Sequence, residues 1–216
     1  MFAHQLKREE GSLPRLLHIQ SSPNLKNSVT RVLSEKFVET WISSHANVEV
    51  EVLDLATDPL PHFGPEILEA ATRSPEEHSA ETREAVALSE RLIKQLEAAD
   101  ILVIGAPMIN FSLCTQLKSW FDHVTIVGRT FQYSAPGVAK GLLFGKKAFV
   151  IEARGGDYAD LPFNAFDFQE PLLRTLLMFL GVFDVSFVRA EGMRQKVDEA
   201  ADILRNAEAV IARLAA

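Results

Sequence analysis

Along this chain, apolar β-rich runs alternate with stretches of helical spacing, five times in succession. The first run, residues 16–20, predicts a strand, and the polar loop SSPNLKNS follows it. Over residues 29–43, Val29, Val32, Leu33, Phe37 and Trp41 fall near helical spacing, with Asn27 or Ser28 as the N-cap. Residues 48–55 predict a second strand. Its alternation of Val with Glu over 48–52 leaves one face to water and places it at or near a sheet edge.

A Pro-rich loop, TDPLPHFGPE, precedes a helix over 81–98 with Ala85, Leu88, Leu92, Leu96 and Ala99 on one face. The third strand, ILVIGAPM, is almost wholly apolar, as a strand covered on both faces must be. FSLCTQLKSWFDHV reads as the next helix, residues 146–153 as strand four and RGGDYADLPFNAFDF as a long loop. A helix over 170–180 stops at Gly181. Residues 184–191 give strand five, and 194–214 a last helix with Val197, Ala201, Leu204, Ile211 and Leu214 facing in.

Five strands, each followed by helical sequence, predict an α/β fold with a doubly wound parallel sheet. Right-handed crossovers favour the strand order 2-1-3-4-5, and ligands in such sheets bind at the carboxyl ends of the strands. The expectation is a polar extension over residues 1–14 and one domain over 15–216.

Composition narrows the partners. The 216 residues carry a net charge of −7 and no basic stripe, which argues against nucleic acid. The lone Cys114 allows no internal disulfide and fits a reducing compartment. No apolar stretch reaches membrane-spanning length, and the N-terminus lacks a signal-peptide core. A cytoplasmic protein is expected. Six His occur without metal-ligand spacing, so no metal site is predicted.

Three strand-end loops carry the candidate chemistry. The first holds Ser21, Ser22, Asn24, Asn27, Ser28 and Thr30 and opens a helix, whose N–H groups and dipole suit a phosphate. It has neither a dinucleotide nor a P-loop glycine pattern, so a single terminal phosphate such as that of FMN suits it best; an ordinary capped polar loop explains the same residues. The loop after strand three offers Met108 and Phe111 as soft apolar surface, and Asn110 as a donor and acceptor for a flavin edge or as a helix cap. Gly155 and Gly156, after strand four, let backbone N–H groups approach a flat ligand, or form a plain turn.

The runs APMINFSLCTQLKSWFDHVTIVGRTFQYS and VIEARGG strongly resemble the FMN-dependent NADH–azoreductase family, also described as NADH:quinone oxidoreductases. The likeness extends from about Leu16 to the C-terminus. It implies a flavodoxin-like three-layer sandwich, a homodimer and FMN at the subunit interface. By that likeness Ser21, Ser28 and Thr30 would hold the phosphate with the backbone of Val29. Met108, Ile109, Asn110 and Phe111 would line the ring, and Ala153, Arg154, Gly155 and Gly156 would meet its polar edge. Ile109 stands where the familiar pattern has Tyr, and Ala153 where it has Ser.

Other residues admit two readings. Cys114 is structural, because its segment lacks the electropositive setting of a reactive thiol. His123, without a local partner in sequence, reads as solvated or at an interface. Phe163, Phe166 and Phe168 suggest a lid over the flavin, or a helix-start cluster packed in the core. Tyr133 suggests a substrate wall or plain packing. The implied reaction is ping-pong: NADH or NADPH gives hydride to FMN, then a quinone or azo compound takes two electrons. Arg129 and Arg154 are candidates to distinguish the two donors. The alternatives are a flavodoxin-type electron carrier and a non-catalytic flavin- or nicotinamide-binding protein. A signalling receiver domain lacks its phosphorylatable Asp after strand three.

Overall fold

The structure is a computed structural model that describes residues 13–159 and 162–216; most of the 1–14 extension lies outside the described residues. The central sheet runs β2 (Glu49–Asp54), β1 (Arg15–Gln20), β3 (Ile101–Ile109), β7 (Lys147–Ala153), β8 (Asp184–Ala190), all parallel. This is the expected 2-1-3-4-5 order of five strands. At the edge, β2 exposes Val52 and buries Leu53, the reverse of the burial that the Val/Glu alternation over 48–52 suggests at that end of the strand.

Helices cover both faces. On one, α1 (Val29–Ser44) and α6 (Ala200–Leu214) pack Leu33, Phe37, Trp41 and Ile211 against Leu16, Val103, Phe149 and Val188. On the other, α3 (Ala80–Ala98), α4 (Thr115–Val124) and α5 (Gln169–Leu180) pack Leu92, Leu96, Trp120, Phe121 and Leu173 against Ile19, Leu102, Ile104 and Val150. Each apolar strand of the interior thus serves two cores, which is why β3 carries no polar side chain.

Several boundaries and faces differ from expectation. The last helix begins at Ala200, after a 3-10 turn over Val197–Glu199, so Val197 is exposed and Ala201 faces outward. Val32 of α1 is exposed. A short helix, α2 (Pro65–Ala70), follows the Pro-rich loop, with Pro65 at its start, where a missing N–H costs nothing. Helix α4 starts four residues later than the sequence suggests, because Ser112–Leu113 forms β4, antiparallel to the end of β3.

A hairpin of β5 (Phe131–Ala135) and β6 (Val138–Gly141) was not expected either. Its signal was present: Pro136-Gly137 between alternating residues is a two-residue turn, and Gly137 has φ 76°. The hairpin crosses the end of α5, where Phe131 packs on Phe179 with ring centroids 4.6 Å apart. Gly141 makes the crossing possible: a β-carbon there would lie 2.2 Å from the backbone of Leu180 and Gly181.

Candidate functional site

The register aligns Gln20 of β1 with Gly105 of β3, and Pro107 of β3 with Ala153 of β7. The three candidate loops therefore leave the sheet side by side. Buried side chains tie them together. Ser21 Oγ donates to the Gly105 carbonyl at 2.6 Å, and Cys114 Sγ donates to the Ser21 carbonyl at 3.3 Å. Gln169, at the start of α5, donates through Nε2 to the Ala106 carbonyl at 2.9 Å and accepts at Oε1 from Arg154 Nε at 3.1 Å.

At the α1 end, Ser28 caps the helix by accepting from Arg31 N–H, and its hydroxyl lies 3.0 Å from that of Thr30. The N–H groups of Val29 and Thr30 fall in the first turn, where no carbonyl of their own helix can reach them. Arg31 makes a two-pronged ion pair with Asp54, at 2.7 and 2.8 Å, and also donates to the Ser22 carbonyl. This bond holds the Asp54 carboxyl at about 2, below the usual carboxylate range. Gly105 lets α1 sit close over β3, since a β-carbon there would be 3.1 Å from Gln20 Oε1 and 3.2 Å from Ser34 Oγ. Beneath this end His18 is 3% exposed and 3.0 Å from Ser34 Oγ; burial, aided by Arg31, lowers its pKa to about 4 and keeps it neutral.

At the β3 end, Asn110 and Phe111 have φ of 48° and 69°. With Ile109 paired to Ser112, they are the two central residues of a tight β3–β4 turn, a conformation that favours Asn-Gly. Asn110 is therefore not a helix cap; Cys114 stands at the N-cap of α4. A bulky residue with positive φ costs about 1–3 kcal/mol and persists only where its surroundings hold it. Here the Phe111 carbonyl accepts from Phe168 N–H at 3.1 Å, and its ring lies 5.7 Å from Phe166 and 6.4 Å from Tyr158. Met108 is half-buried, while Ile109, Asn110 and Phe111 are exposed.

The third loop divides its backbone and side-chain roles. The carbonyls of Gly155 and Gly156 accept from Arg194, Gln195 and Gly192, whereas their own N–H groups donate to no group among the described residues. The Arg154 side chain is only 2% exposed and points into a buried cluster, bonded to Glu152, Asp167, Glu191 and Gln169. It does not present its charge at a flavin edge. Within that cluster burial pushes the Glu152 carboxyl up to about 8, against the opposing pull of Arg154. A charged cleft of about 630 Å³ borders it, lined by Tyr158, Glu170, Arg174 and Arg189 among others.

The remaining candidates separate. Ser21, expected at the phosphate, is fully buried with its hydroxyl turned to Gly105. Ala153 is half-buried at the end of β7. Phe163, Phe166 and Phe168 are all exposed, around a 3-10 turn, so they are not a core cluster. Tyr133 stands exposed on β5, its ring edge-on to Phe131. Arg129 is paired with Glu90 and Glu97. His123, expected in solvent or at an interface, is buried: Nδ1 is 2.9 Å from Ser89 Oγ and Nε2 is 3.0 Å from the Pro61 carbonyl. Sequence reasoning missed Gln169, because nothing local marks a residue whose partners, Ala106 and Arg154, lie on other elements. It also missed Glu152, although an acid inside an apolar strand two residues before Arg154 is a local sign of an ion pair. Among the described residues no His, Cys, Asp or Glu group could hold a metal, and no helix is long and apolar enough to cross a membrane.

A doubly wound sheet with a hydroxyl-rich helix N-terminus, backbone donors and an apolar turn at its strand ends has the architecture of a flavodoxin-like protein. A family model described as a flavodoxin-like fold matches residues 14–214. The chain is 43% identical over 203 residues to an FMN-dependent NADH:quinone oxidoreductase of Azotobacter vinelandii, covering 94% of this chain and 100% of that one. It is 45% identical over 201 residues to the protein of that name in Chromobacterium violaceum, covering 93% and 99%. An FMN-dependent NADH-azoreductase of Bacillus anthracis, solved in complex with FMN, superimposes with a TM-score of 0.83 at 26% identity, covering 94% and 100%. The chain belongs to the flavodoxin-like family that contains these oxidoreductases.

Proposed function

We propose that this protein is an FMN-dependent oxidoreductase that passes two electrons from NADH or NADPH to quinones or azo compounds. The observation that carries the reading is the convergence of unpaired donors and apolar surface at one end of the sheet: the first-turn N–H groups of α1, the N–H groups of Gly155 and Gly156, and the turn from Met108 to Phe111. The names of the relatives point the same way.

FMN, when bound, supplies the hydride chemistry. The residues of the chain do the rest. The N–H groups of Val29 and Thr30, with the hydroxyls of Ser28 and Thr30, hold the phosphate at the positive end of α1. Met108, Ile109 and Phe111 give the ring a dry face, and Asn110 serves its polar edge with a side chain that both donates and accepts. Gly155 and Gly156 offer N–H groups where negative charge grows on reduction. Arg154 acts on that loop from inside, through the buried cluster. Phe163, Phe166 and Phe168 stand exposed on the segment that meets Phe111, and Tyr133 stands exposed on β5, as side chains that meet a flat acceptor or a second subunit do. A homodimer with the flavin at its interface fits that exposure, and a cytoplasmic location fits the lone buried cysteine.

The purified protein is expected to be yellow, with a flavin absorption spectrum, and to oxidise NADH or NADPH when benzoquinone is added. A colourless protein that takes up no FMN and turns over neither donor sinks the proposal.

A further inference from the structure

Gln169 is fully buried, and each end of its amide is bound. Nε2 donates to the carbonyl of Ala106, two residues before Met108; Oε1 accepts from Nε of Arg154, the residue before Gly155. No other side chain among the described residues joins the ends of β3 and β7 in this way. Its own backbone is fixed as well, because Asp167 Oδ1 accepts from the N–H groups of Gln169 and Glu170, and Asp167 Oδ2 accepts from Arg154 Nη1 at 2.8 Å. On the far side Arg154 is held by Glu152 and Glu191.

Resting on the functional reading above, we propose that Gln169 is a positioning residue for the flavin. Its amide sets the spacing between the turn that receives the ring face and the N–H groups that receive the ring edge. The chemistry favours an amide over other side chains. One partner is a carbonyl, which needs a donor, and the other is a guanidinium, which needs an acceptor. A carboxylate would face the Ala106 carbonyl with no proton to give, and an apolar residue would leave two buried groups unpaired. Because Gly155 and Gly156 donate to charge that grows on reduction, misplacing them weakens the reduced form more than the oxidised one.

The test compares the parent with Gln169→Met, neutral and close in volume, and with Leu173→Ala. The latter removes buried core from the next turn of α5 without touching either strand end. FMN affinity is read by fluorescence titration and the flavin midpoint potential by equilibration with redox dyes. The expected result for Gln169→Met is FMN binding weakened about tenfold or more and a lowered potential. A tenfold unequal loss between the two redox forms equals about 30 mV for a two-electron couple. Leu173→Ala is expected to lower the melting temperature and leave the potential where it was. Gln169→Asn keeps an amide one methylene too short to span both partners, and gives the same reading where Gln169→Met does not fold. A parent that binds FMN beside variants unchanged in affinity and potential overturns this inference alone, as does an equal shift in Leu173→Ala. A parent that takes up no FMN overturns the functional reading and this inference with it.

Discussion

At the α1 end of the site most supports come from one short stretch of chain. Ser22, Ser28, Thr30 and Arg31 bond among themselves, and Asp54 from the neighbouring strand completes the set. At the β3–β7 end the supports are Ala106, Arg154, Gln169 and Phe168, drawn from three separate parts of the chain. The first end is a helix terminus, and a helix terminus brings its donors with it. The second is two loops whose strands are paired up to Pro107 and Ala153, while their course beyond that ladder is held by the buried side chains that join them. A ligand that spans both needs a local site and a nonlocal one to agree, and the tie from Ser21 to Gly105 is where they meet.

The strongest way to break that agreement is Gly105→Val. Its branched side chain cannot fit between Gln20, Ser34 and the Thr30 carbonyl, so α1 must lift from β3. The expected loss is about 3 kcal/mol or more, with FMN binding abolished, read by thermal melts and flavin titration.

Acid should act next, and through the α1 end. His18 is held neutral in the folded protein, with its pKa at about 4 against 6.5 unfolded. Between those values the unfolded chain binds the extra proton, so stability falls as pH drops through the window. The expected loss is about 2–3 kcal/mol by pH 4, and His18→Gln should flatten the slope in urea titrations at stepped pH.

Asp54→Ala should cost about 2 kcal/mol, because it leaves a mostly buried guanidinium with one carbonyl for a partner. FMN affinity should fall through the loosened first loop while the flavin potential stays put, the reverse of the signature expected for Gln169→Met. The low Asp54 pKa makes its contribution full above about 3.8 and lost as pH falls toward 2, so parent and variant should converge in strong acid.

The smallest effect on stability, within about 0.5 kcal/mol, is expected for Phe166→Ala, since that ring is exposed. Its effect should instead appear as a severalfold rise in KM for a flat quinone with kcat retained, measured in steady-state turnover.

The edge position of β2, the two-sided burial of β3 and the capped start of α1 were written in the order of apolar and polar residues, because each depends on neighbours a few positions away; the strand order followed from the succession of elements and the handedness of their crossovers. The loop residues could be named for the same reason: hydroxyls before a helix, and paired glycines after a strand. What they do was another matter. Ser21 and Arg154 carry groups that suit a cofactor, yet the fold turns both inward, to Gly105 and to Glu152. Asn110 and Phe111 become a strained turn only because β4 pairs back on β3 and the 163–168 segment holds the Phe111 carbonyl. Glu152, an acid inside an apolar strand two residues before Arg154, was a local sign of its ion pair, whereas Gln169 showed none. A bond between residues tens of positions apart leaves no local spacing to read, so only the packed sheet decided which polar groups face the ligand and which hold the site in shape.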